Sequence, residues 1–230
     1  MNLREFAKPQ GGATLVTVLR SGGRYDRTWV ERLAAGARRF AGFDRIVCLT
    51  DTPFDAVGIE TLSLRHDWPT WWAKMEVFRP GLFRGTTVLC DLDTVFAGDA
   101  SALSTPGLAV MADHFHPDRM SSALMRWHGD ELSFIYDAFA AESEKWMAPG
   151  SCGSVPNAVH GDQVVIDYLL RQKGLTPAVL QALHPGLIDF YGADKTRFGP
   201  VVVFIGDAKP DVAGEPIRSL WRGEGVSADA

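Results

Sequence analysis

The segment TTVLCDLDTVF, residues 86–96, places two carboxylates directly after an apolar run. The run over 88–90 predicts a strand that is buried on both faces. Because side chains alternate along an extended chain, Asp91 and Asp93 point to the same side. Like charges at the end of a buried strand are tolerated when a cation or several donors lie between them. The pattern alone fits either a divalent-metal site or a polar strand end that faces water.

Composition and charge indicate an ordinary soluble protein. A chain of 230 residues suits one α/β domain, and 46% hydrophobic and 22% charged residues are typical values. The net charge of -5 argues against a general binder of nucleic acid or anionic membranes. No stretch approaches the roughly 18 apolar residues of a membrane span, and residues 1–10 have no apolar core of a leader. Three cysteines without zinc spacing suit reduced thiols, so we expect a cytoplasmic protein with no integral membrane segment.

The residues before the acidic segment predict a parallel sheet. Residues 13–20 (ATLVTVLR) are rich in β-branched residues and predict a strand that leads into the glycine-containing turn SGGRY. Asp26 is placed to cap a helix that extends to Phe40, and a second strand follows over 44–50. A strand, a helix and a strand in this order predict a right-handed parallel crossover. The fold class is therefore α/β, with an open, doubly wound sheet in the N-terminal half.

The rest of the chain predicts further strands and helices without an internal repeat. In chain order they are an edge strand over 58–64, a helix over 71–78, strands over 108–111 and 120–127, a helix over 131–141 capped by Asp130, a helix from Gly161 to about Lys173, and strands over 186–190 and 200–205. Residues 145–157 are rich in Gly, Pro and Ser and predict a mobile loop. The chain beyond Gly223 predicts a disordered tail.

Four segments together resemble the GT-A glycosyltransferases, especially bacterial relatives of the glycogenin and galactosyltransferase group (family 8-like). They are SGGRYDRTWVERL after the first strand, VCLTD, WWAKMEVF followed by GTTVLCDLDTVF, and the late segments HGDQ and VVVFIGDAKP. The resemblance spans most of residues 13–210. It implies a single GT-A (Rossmann-like) domain over 1–223, with an open mixed sheet flanked by helices. Within it, the nucleotide-binding half would cover about 13–97 and the acceptor half about 98–210, followed by a tail over 224–230.

The resemblance implies a hexosyltransferase that uses a divalent metal. Such enzymes move a hexose from a nucleotide-diphosphate sugar, most often a UDP-sugar, to a hydroxyl acceptor. The metal, Mn²⁺ or Mg²⁺, bridges the diphosphate and the D-x-D carboxylates and neutralises charge on the leaving group. By resemblance, Asp93 is the direct ligand, while Asp91 contacts ribose or shares the metal.

The resemblance also assigns residues around the donor and the acceptor. The base and ribose pocket would be lined by Leu19, Ser21, Tyr25, Thr50 and Asp51. Lys209, in the pattern G-x-x-K-P, would meet the diphosphate as a point charge on a flexible stem. Lys74 would reach a phosphate or shape the pocket, with a solvated helix face as its ordinary role. Asp162 would act as a base or orient the acceptor hydroxyl, although Asp at a helix start is also a common N-cap.

One departure from the family pattern concerns the metal. Relatives usually carry a histidine in the last strand motif, where this chain has Val203 and Ile205. Asp207 and His160 are candidates for the missing ligand, although a lone histidine is more often structural. Because Mg²⁺ and Mn²⁺ retain several waters, the loss of one histidine need not abolish metal binding.

Several alternatives stay open at the level of sequence. A glycosyltransferase-like protein that has lost turnover would bind a nucleotide-sugar without transferring it. A nucleotidyltransferase is a further alternative, although SGGRY is short and weakly basic for its nucleotide loop. Arg126 and Trp127 fit either a sugar pocket or the core, whereas Trp71 and Trp72 favour the core. The sequence does not specify the sugar, the base, the acceptor or the stereochemistry of transfer, for which Asp113, Asp130 and Asp162 are candidate bases.

Overall fold

The computed structural model describes residues 12–153 and 159–224. Its strands are β1 (Thr14–Leu19), β2 (Arg45–Thr50), β3 (Glu60–Ser63), β4 (Thr86–Cys90), β5 (Val95–Phe96), β6 (Ala109–Ala112), β7 (Met120–His128), β8 (Ala178–Val179), β9 (Ile188–Phe190) and β10 (Val201–Val203). Its α-helices are α1 (Arg27–Phe40), α2 (Ser133–Ala141), α3 (Ser143–Met147), α4 (Asp162–Gln172), α5 (Leu180–Leu183) and α6 (Ile217–Arg222). Three 3-10 helices cover Thr70–Phe78, Ser101–Ser104 and Pro210–Val212.

The main sheet has seven strands in the order β3-β2-β1-β4-β7-β6-β8. The first four of these strands run parallel, because β1 pairs in parallel with both β2 and β4, and β2 pairs in parallel with β3. Strand β7 is antiparallel to β4 and to β6, so the sheet is mixed. The predicted open mixed α/β sheet is confirmed, with β3 at its edge as the sequence indicates.

A second, three-stranded sheet in the order β5-β10-β9 was not predicted. The chain turns directly after the acidic pair, where the N–H of Thr94 donates to the carbonyl of Asp91 at 3.1 Å. Strand β5 therefore leaves the main sheet and pairs antiparallel with β10. Because β10 is short and fully buried, its apolar sequence does not distinguish a central strand of one sheet from that of another.

Helices cover both faces of the main sheet. On one face, Trp29, Val30 and Leu33 of α1 pack in a cluster that includes Leu15 of β1 and Trp221 of α6. The opposite face is covered by the 3-10 helix Thr70–Phe78 together with α2 and α4. This face contains a second cluster, with Trp72 and Met75 among its buried members. The result is a helix–sheet–helix sandwich whose two cores lie on either side of one sheet.

Local predictions differ in how well they agree with the structure. Asp26 caps α1 as predicted, accepting the N–H of Thr28 at 2.8 Å. The predicted cap at Asp130 is wrong, since α2 begins three residues later and the Asp130 carboxylate instead accepts the N–H of Gly81 at 2.8 Å. The predicted loop over 145–157 begins within helix α3, and its part over 154–157 lies outside the described residues, as does 225–230 of the predicted tail.

No helix among the described residues combines the length and the apolar character that a bilayer crossing requires.

Candidate active site

A cavity of about 560 Å³ opens where β1 and β4 end, at the carboxyl edge of the parallel strands. We call it the carboxylate cavity because Asp91 and Asp93 both line it. Its other walls come from the turn after β1, the start of the 3-10 helix Thr70–Phe78, and the chain after β10. Its lining also includes Arg20, Ser21, Gly22, Gly23, Arg24, Tyr25, Thr70, Trp71, Lys74 and Lys209. Ligands of open α/β sheets bind at this edge.

Each carboxylate of the D-x-D pair contacts a lysine. The Nζ of Lys74 lies 2.7 Å from Oδ1 of Asp91. The Nζ of Lys209 lies 2.7 Å from Oδ2 of Asp93, which also accepts a hydrogen bond of 2.9 Å from the Tyr25 hydroxyl. The two carboxylates are therefore neutralised by cations that come from distant parts of the chain.

Lys74 also reaches a third carboxylate. Its Nζ lies 3.0 Å from Oδ2 of Asp162, the first residue of α4. Ser122 of β7 joins this contact, because its hydroxyl donates to the same Asp162 oxygen at 2.7 Å and lies 3.3 Å from the lysine. Lys74 is buried, and its ammonium group thus connects a carboxylate after β4 with one at the start of α4.

Burial and charge shift the pKa values of these groups. Burial would lower the pKa of Lys74, but the neighbouring Asp162 and Asp91 carboxylates outweigh it and raise that pKa, so the ammonium stays charged. Burial raises the pKa of Asp91 against the opposing effect of Lys74, and the nearby Asp93 adds to the rise. Burial and Asp93 also raise the pKa of Tyr25, which remains a neutral hydrogen-bond donor.

Two arginines that the sequence analysis did not assign also line the carboxylate cavity. The guanidinium of Arg20 lies 2.6 Å from Asp51 and contacts Asp67 as well. Arg24 forms an ion pair of 2.8 Å with Asp211, on the 3-10 helix that follows Lys209. Both arginines flank the glycine turn after β1. Their position beside a strand end is the sequence feature from which a place in the site could have been predicted. Together with Lys74 and Lys209, they bring four basic side chains to the lining of the carboxylate cavity, which suits an anionic ligand.

The structure brings together six of the predicted site residues in the carboxylate cavity, namely Ser21, Tyr25, Lys74, Asp91, Asp93 and Lys209. Three predicted donor residues are not part of its lining. Leu19 packs in the core beside α1, and Thr50 is buried with its hydroxyl accepting the N–H of Thr52 at 3.1 Å. Asp51 lies behind the wall, where it accepts the N–H of Ser21 at 2.9 Å and so fixes the turn rather than lining the space.

Asp162 lines a neighbouring cavity of about 340 Å³, which we call the aromatic cavity. Its lining also includes Trp71, Asp113, Phe115, Val159, Gly161 and Gln163. Trp71 lines both cavities, so the two spaces meet at this side chain. The predicted core position of Trp71 is wrong, since 47% of the residue is exposed, whereas its neighbour Trp72 is buried as predicted.

The candidates for a third metal ligand do not join the carboxylates. The Nε2 of His160 donates to the carbonyl of Trp146 at 2.8 Å, and Asp207 is exposed and not part of the cavity lining. Within residues 12–153 and 159–224, no cluster of three His, Cys, Asp or Glu side chains has metal-binding geometry.

Arg126 and Trp127 belong to the core and to neither cavity. Both are buried. The guanidinium of Arg126 donates to the carbonyls of Gly107 at 3.0 Å and Ala102 at 3.1 Å, and to the hydroxyl of Thr105. The ring of Trp127 packs against Phe78, with 5.3 Å between their centroids.

Comparison with known proteins identifies solved structures that have a similar fold. No protein-family model matches the sequence, and no curated protein matches it. Among solved structures, the glycosyltransferase GlyE of Streptococcus pneumoniae TIGR4 aligns with a TM-score of 0.64 at 12% identity, over 92% of this chain. The chain spans 59% of the length of GlyE.

A second solved structure matches over nearly its whole length. The galactosyltransferase LgtC, in complex with donor and acceptor sugar analogues, aligns with a TM-score of 0.65 at 11% identity. The alignment covers 94% of this chain and 98% of LgtC. At this level of identity, the likeness concerns the fold. The chain therefore has the GT-A-like fold of these glycosyltransferases, as the sequence resemblance implies.

Proposed function

We propose that this protein is a metal-dependent glycosyltransferase that moves a hexose from a nucleotide-diphosphate sugar, with UDP as the expected nucleotide, to a hydroxyl acceptor. One observation carries the proposal. Asp91 and Asp93 line a cavity at the carboxyl ends of β1 and β4 together with Lys74 and Lys209, in a chain with a glycosyltransferase fold. The donor would occupy the carboxylate cavity, and the acceptor would occupy the aromatic cavity.

The carboxylate cavity suits a nucleotide diphosphate in size and charge. Its volume of about 560 Å³ lies within the range of about 300–1,000 Å³ that is usual for small-molecule sites. Lys209 and Arg24 supply positive charge for the diphosphate. Gly22 has a φ of 86°, a left-handed conformation that a glycine adopts without strain. The absence of a side chain there leaves space for a ligand to approach the backbone.

The acidic pair fits a divalent cation. Two aspartate carboxylates are hard oxygen ligands, and Mg²⁺ or Mn²⁺ needs few protein ligands when phosphate oxygens and waters complete its shell. We assign Asp93 as the direct ligand and Asp91 as a second ligand or a ribose contact. A bound cation would neutralise charge on the leaving nucleotide diphosphate. In the absence of such a cation, Lys209 and Lys74 neutralise the same carboxylates.

We assign Asp162 to the acceptor side of the site. Lys74 and Ser122 both contact its Oδ2, which holds the carboxylate at the boundary of the two cavities. We assign Oδ1 to the acceptor hydroxyl, which it would orient and from which it would take a proton as a general base. Because Lys74 and Ser122 fix the position of the carboxylate through its other oxygen, orientation of the hydroxyl is the better supported of these two roles.

A second candidate function is nucleotide-sugar binding without a metal and without turnover. The ion pairs favour it, because each D-x-D carboxylate already has a lysine at 2.7 Å. In this candidate, Lys74 and Lys209 keep their carboxylate partners. The donor then binds through the other residues that line the carboxylate cavity, among them Arg20 and Arg24.

Titration calorimetry with UDP, GDP, ADP and CDP, each with and without Mn²⁺, tests the proposal. We expect one nucleotide to bind in a Mn²⁺-dependent manner, and Asp93→Asn to weaken this binding at least about tenfold, since it removes a charged ligand. Asp207→Asn is the matched control, because it removes an exposed carboxylate that is not part of the cavity lining. Release of the nucleotide from the corresponding sugar donor is then measured with the same variants.

The outcomes separate the two candidate functions. Absence of binding by any nucleotide would refute the donor site. Binding that is equal with and without Mn²⁺, and unaffected by Asp93→Asn, would refute the metal. Tight binding without release of nucleotide, in the presence of a broad panel of hydroxyl acceptors, would favour the binding protein.

A further inference from the structure

Trp71 is exposed at the junction of the carboxylate cavity and the aromatic cavity. It is 47% exposed, although it is adjacent to the buried Trp72 on the same 3-10 helix. A large aromatic side chain loses favourable burial when it stays at the surface. Trp71 lines both cavities, so its exposed surface faces the space where the proposed donor and acceptor would meet.

Two features of the surrounding backbone hold Trp71 in this place. Thr70 has a φ of 52°, and it is the one non-glycine residue with positive φ in the part of the chain that the structure describes. Such a conformation is strained in a β-branched residue, and backbone strain of this kind concentrates at functional sites. Gly161 has extended backbone that any residue could adopt, but a Cβ there would lie 3.0 Å from Nε1 of Trp71. The glycine therefore makes space for the indole ring.

Phe115 is exposed on a loop that is itself well anchored. Oδ1 of Asp113 accepts the N–H groups of Phe115 at 2.8 Å and of His116 at 2.9 Å. Oδ2 of the same carboxylate accepts a 2.8 Å hydrogen bond from the Gln163 side chain on α4. The loop is thus fixed to the helix that carries Asp162. Phe115 is 70% exposed at the edge of the aromatic cavity, and Val159 on its other side is 79% exposed.

Single exposed apolar residues are common on protein surfaces and need no explanation. Here three of them line one small cavity that also contains the polar side chains of Asp113, Asp162 and Gln163. A flat aromatic ring beside carboxylates and an amide matches a sugar, which has an apolar C–H face and hydroxyls at its edge. Phe115 and Val159 match a different, purely apolar group.

We propose that the aromatic cavity takes its acceptor as a glycoside with an apolar aglycone. The sugar ring would stack on Trp71 with its hydroxyls toward Asp162, and the aglycone would cover Phe115 and Val159. The volume of about 340 Å³ is near the lower end of the range of about 300–1,000 Å³ that is usual for small-molecule sites. An acceptor larger than this cavity would therefore extend over Phe115 and Val159 at its edge. This inference rests on the proposed function, because it names the acceptor class of the same reaction.

The test compares aryl and methyl glycosides of the same sugars. Calorimetry is carried out with para-nitrophenyl and methyl pyranosides of glucose, galactose, mannose and N-acetylglucosamine, in both anomers. The proteins are the wild type, Phe115→Ala, Gly161→Ala and Val57→Ala. The last is the control, because Val57 is 95% exposed and lines neither cavity. Thermal unfolding establishes that each variant is folded.

We expect at least one para-nitrophenyl glycoside to bind about tenfold more tightly than its methyl counterpart, as aromatic contacts of this kind allow. Phe115→Ala should remove this ratio and leave the affinity for the methyl glycoside unchanged. Gly161→Ala should weaken both glycosides, because the added Cβ displaces the indole of Trp71. Val57→Ala should change neither affinity.

Other outcomes overturn the inference. Equal affinities for aryl and methyl glycosides would refute the apolar aglycone, as would an unchanged ratio in Phe115→Ala. If no glycoside binds, or if the enzyme transfers sugar to a polypeptide hydroxyl instead, the acceptor class is wrong. Nucleotide binding by the wild type is measured separately. When it is retained, failure of the glycoside test leaves the proposed function standing.

Discussion

Lys74 Nζ lies within 3.0 Å of carboxylates that line two different cavities. On the donor side it neutralises Asp91, and on the acceptor side it neutralises Asp162. The contact with Asp162 joins two buried side chains, and Coulomb interactions are stronger there than at the surface, whereas the side chain of Asp91 is 32% exposed. The side chain that the sequence placed on a phosphate or a solvated helix face is thus the electrostatic connection between the two proposed substrate sites.

Replacement of Lys74 by methionine tests this role at the level of one residue. The substitution keeps the apolar stem but leaves Asp91 and Asp162 without their cation. We expect a loss of about 3–5 kcal/mol in the free energy of unfolding, measured by urea denaturation. Lys145→Met is the matched control, because Lys145 forms an exposed pair with Glu142. An exposed pair of this kind contributes at most about 1 kcal/mol.

A double-mutant cycle separates charge from packing. Asp162→Asn removes one of the two carboxylates that Lys74→Met leaves unpaired, so the double variant should lose less stability than the sum of the single losses. A coupling of about 1 kcal/mol or more is expected for groups in direct contact. Strict additivity would mean that Lys74 contributes through packing alone.

The carboxylates and lysines of the site were predictable, whereas the exposed aromatic residue was not. Asp91 and Asp93 follow a buried run, which already indicates a sheet edge. Lys209 was assigned from its motif. Trp71 and Trp72 are adjacent and chemically identical, so no property of the sequence distinguishes the exposed one from the buried one. Their difference arises from the left-handed turn at Thr70 and from the space above Gly161.

At the level of elements, the 3-10 helix Thr70–Phe78 is positioned by tertiary contacts. It has no side-chain cap at its N-terminus, and a helix of this length is marginal in isolation. Glu76 is completely buried within it. Its carboxylate accepts the N–H groups of Arg65 at 2.8 Å and of His66 at 2.8 Å, and it lies 3.0 Å from Arg79. The loop after β3 is thereby attached to the helix that carries Lys74.

We expect Glu76→Gln to destabilise the protein by about 1–3 kcal/mol, because an amide nitrogen replaces one buried acceptor oxygen. The free energy of unfolding in urea provides the measurement. Glu144→Gln, at an exposed position of α3, is the control and should change stability by less than about 0.5 kcal/mol. Equal stability of the two variants would show that the buried carboxylate does not hold the loop.

The long elements were predictable from periodicity, and the short ones were not. Helix α1 has an N-cap and apolar residues at helical spacing, so its start and end agree with the prediction. Asp130, three residues before α2, was predicted to cap this helix because its type and its place before an apolar run fit that role. Its side chain instead bonds to Gly81, a contact between segments distant in the sequence. Two-residue strands such as β5 depend in the same way on a partner that only the folded chain supplies.

At the level of the whole molecule, a buried arginine attaches the segment over 102–107 to the main sheet. Arg126 lies on β7, opposite Val88 of β4. Its guanidinium reaches the segment after β5, where it binds the carbonyls of Ala102 and Gly107. Burial lowers the pKa of Arg126, and within the described residues it forms no ion pair with a carboxylate. The fork of N–H donors, rather than a charge pair, makes this attachment.

Substitution of Arg126 by lysine keeps the buried charge but loses the planar fork, so we expect a loss of about 1–3 kcal/mol in the free energy of unfolding. Arg84→Lys, at an exposed position, is the control and should be neutral. Below the unfolding transition, nucleotide binding by Arg126→Lys should equal that of the wild type, because Arg126 lines neither cavity. Unchanged stability would show that the guanidinium of Arg126 does not secure the segment over 102–107. Weakened nucleotide binding in a folded variant would instead show that Arg126 affects the donor site.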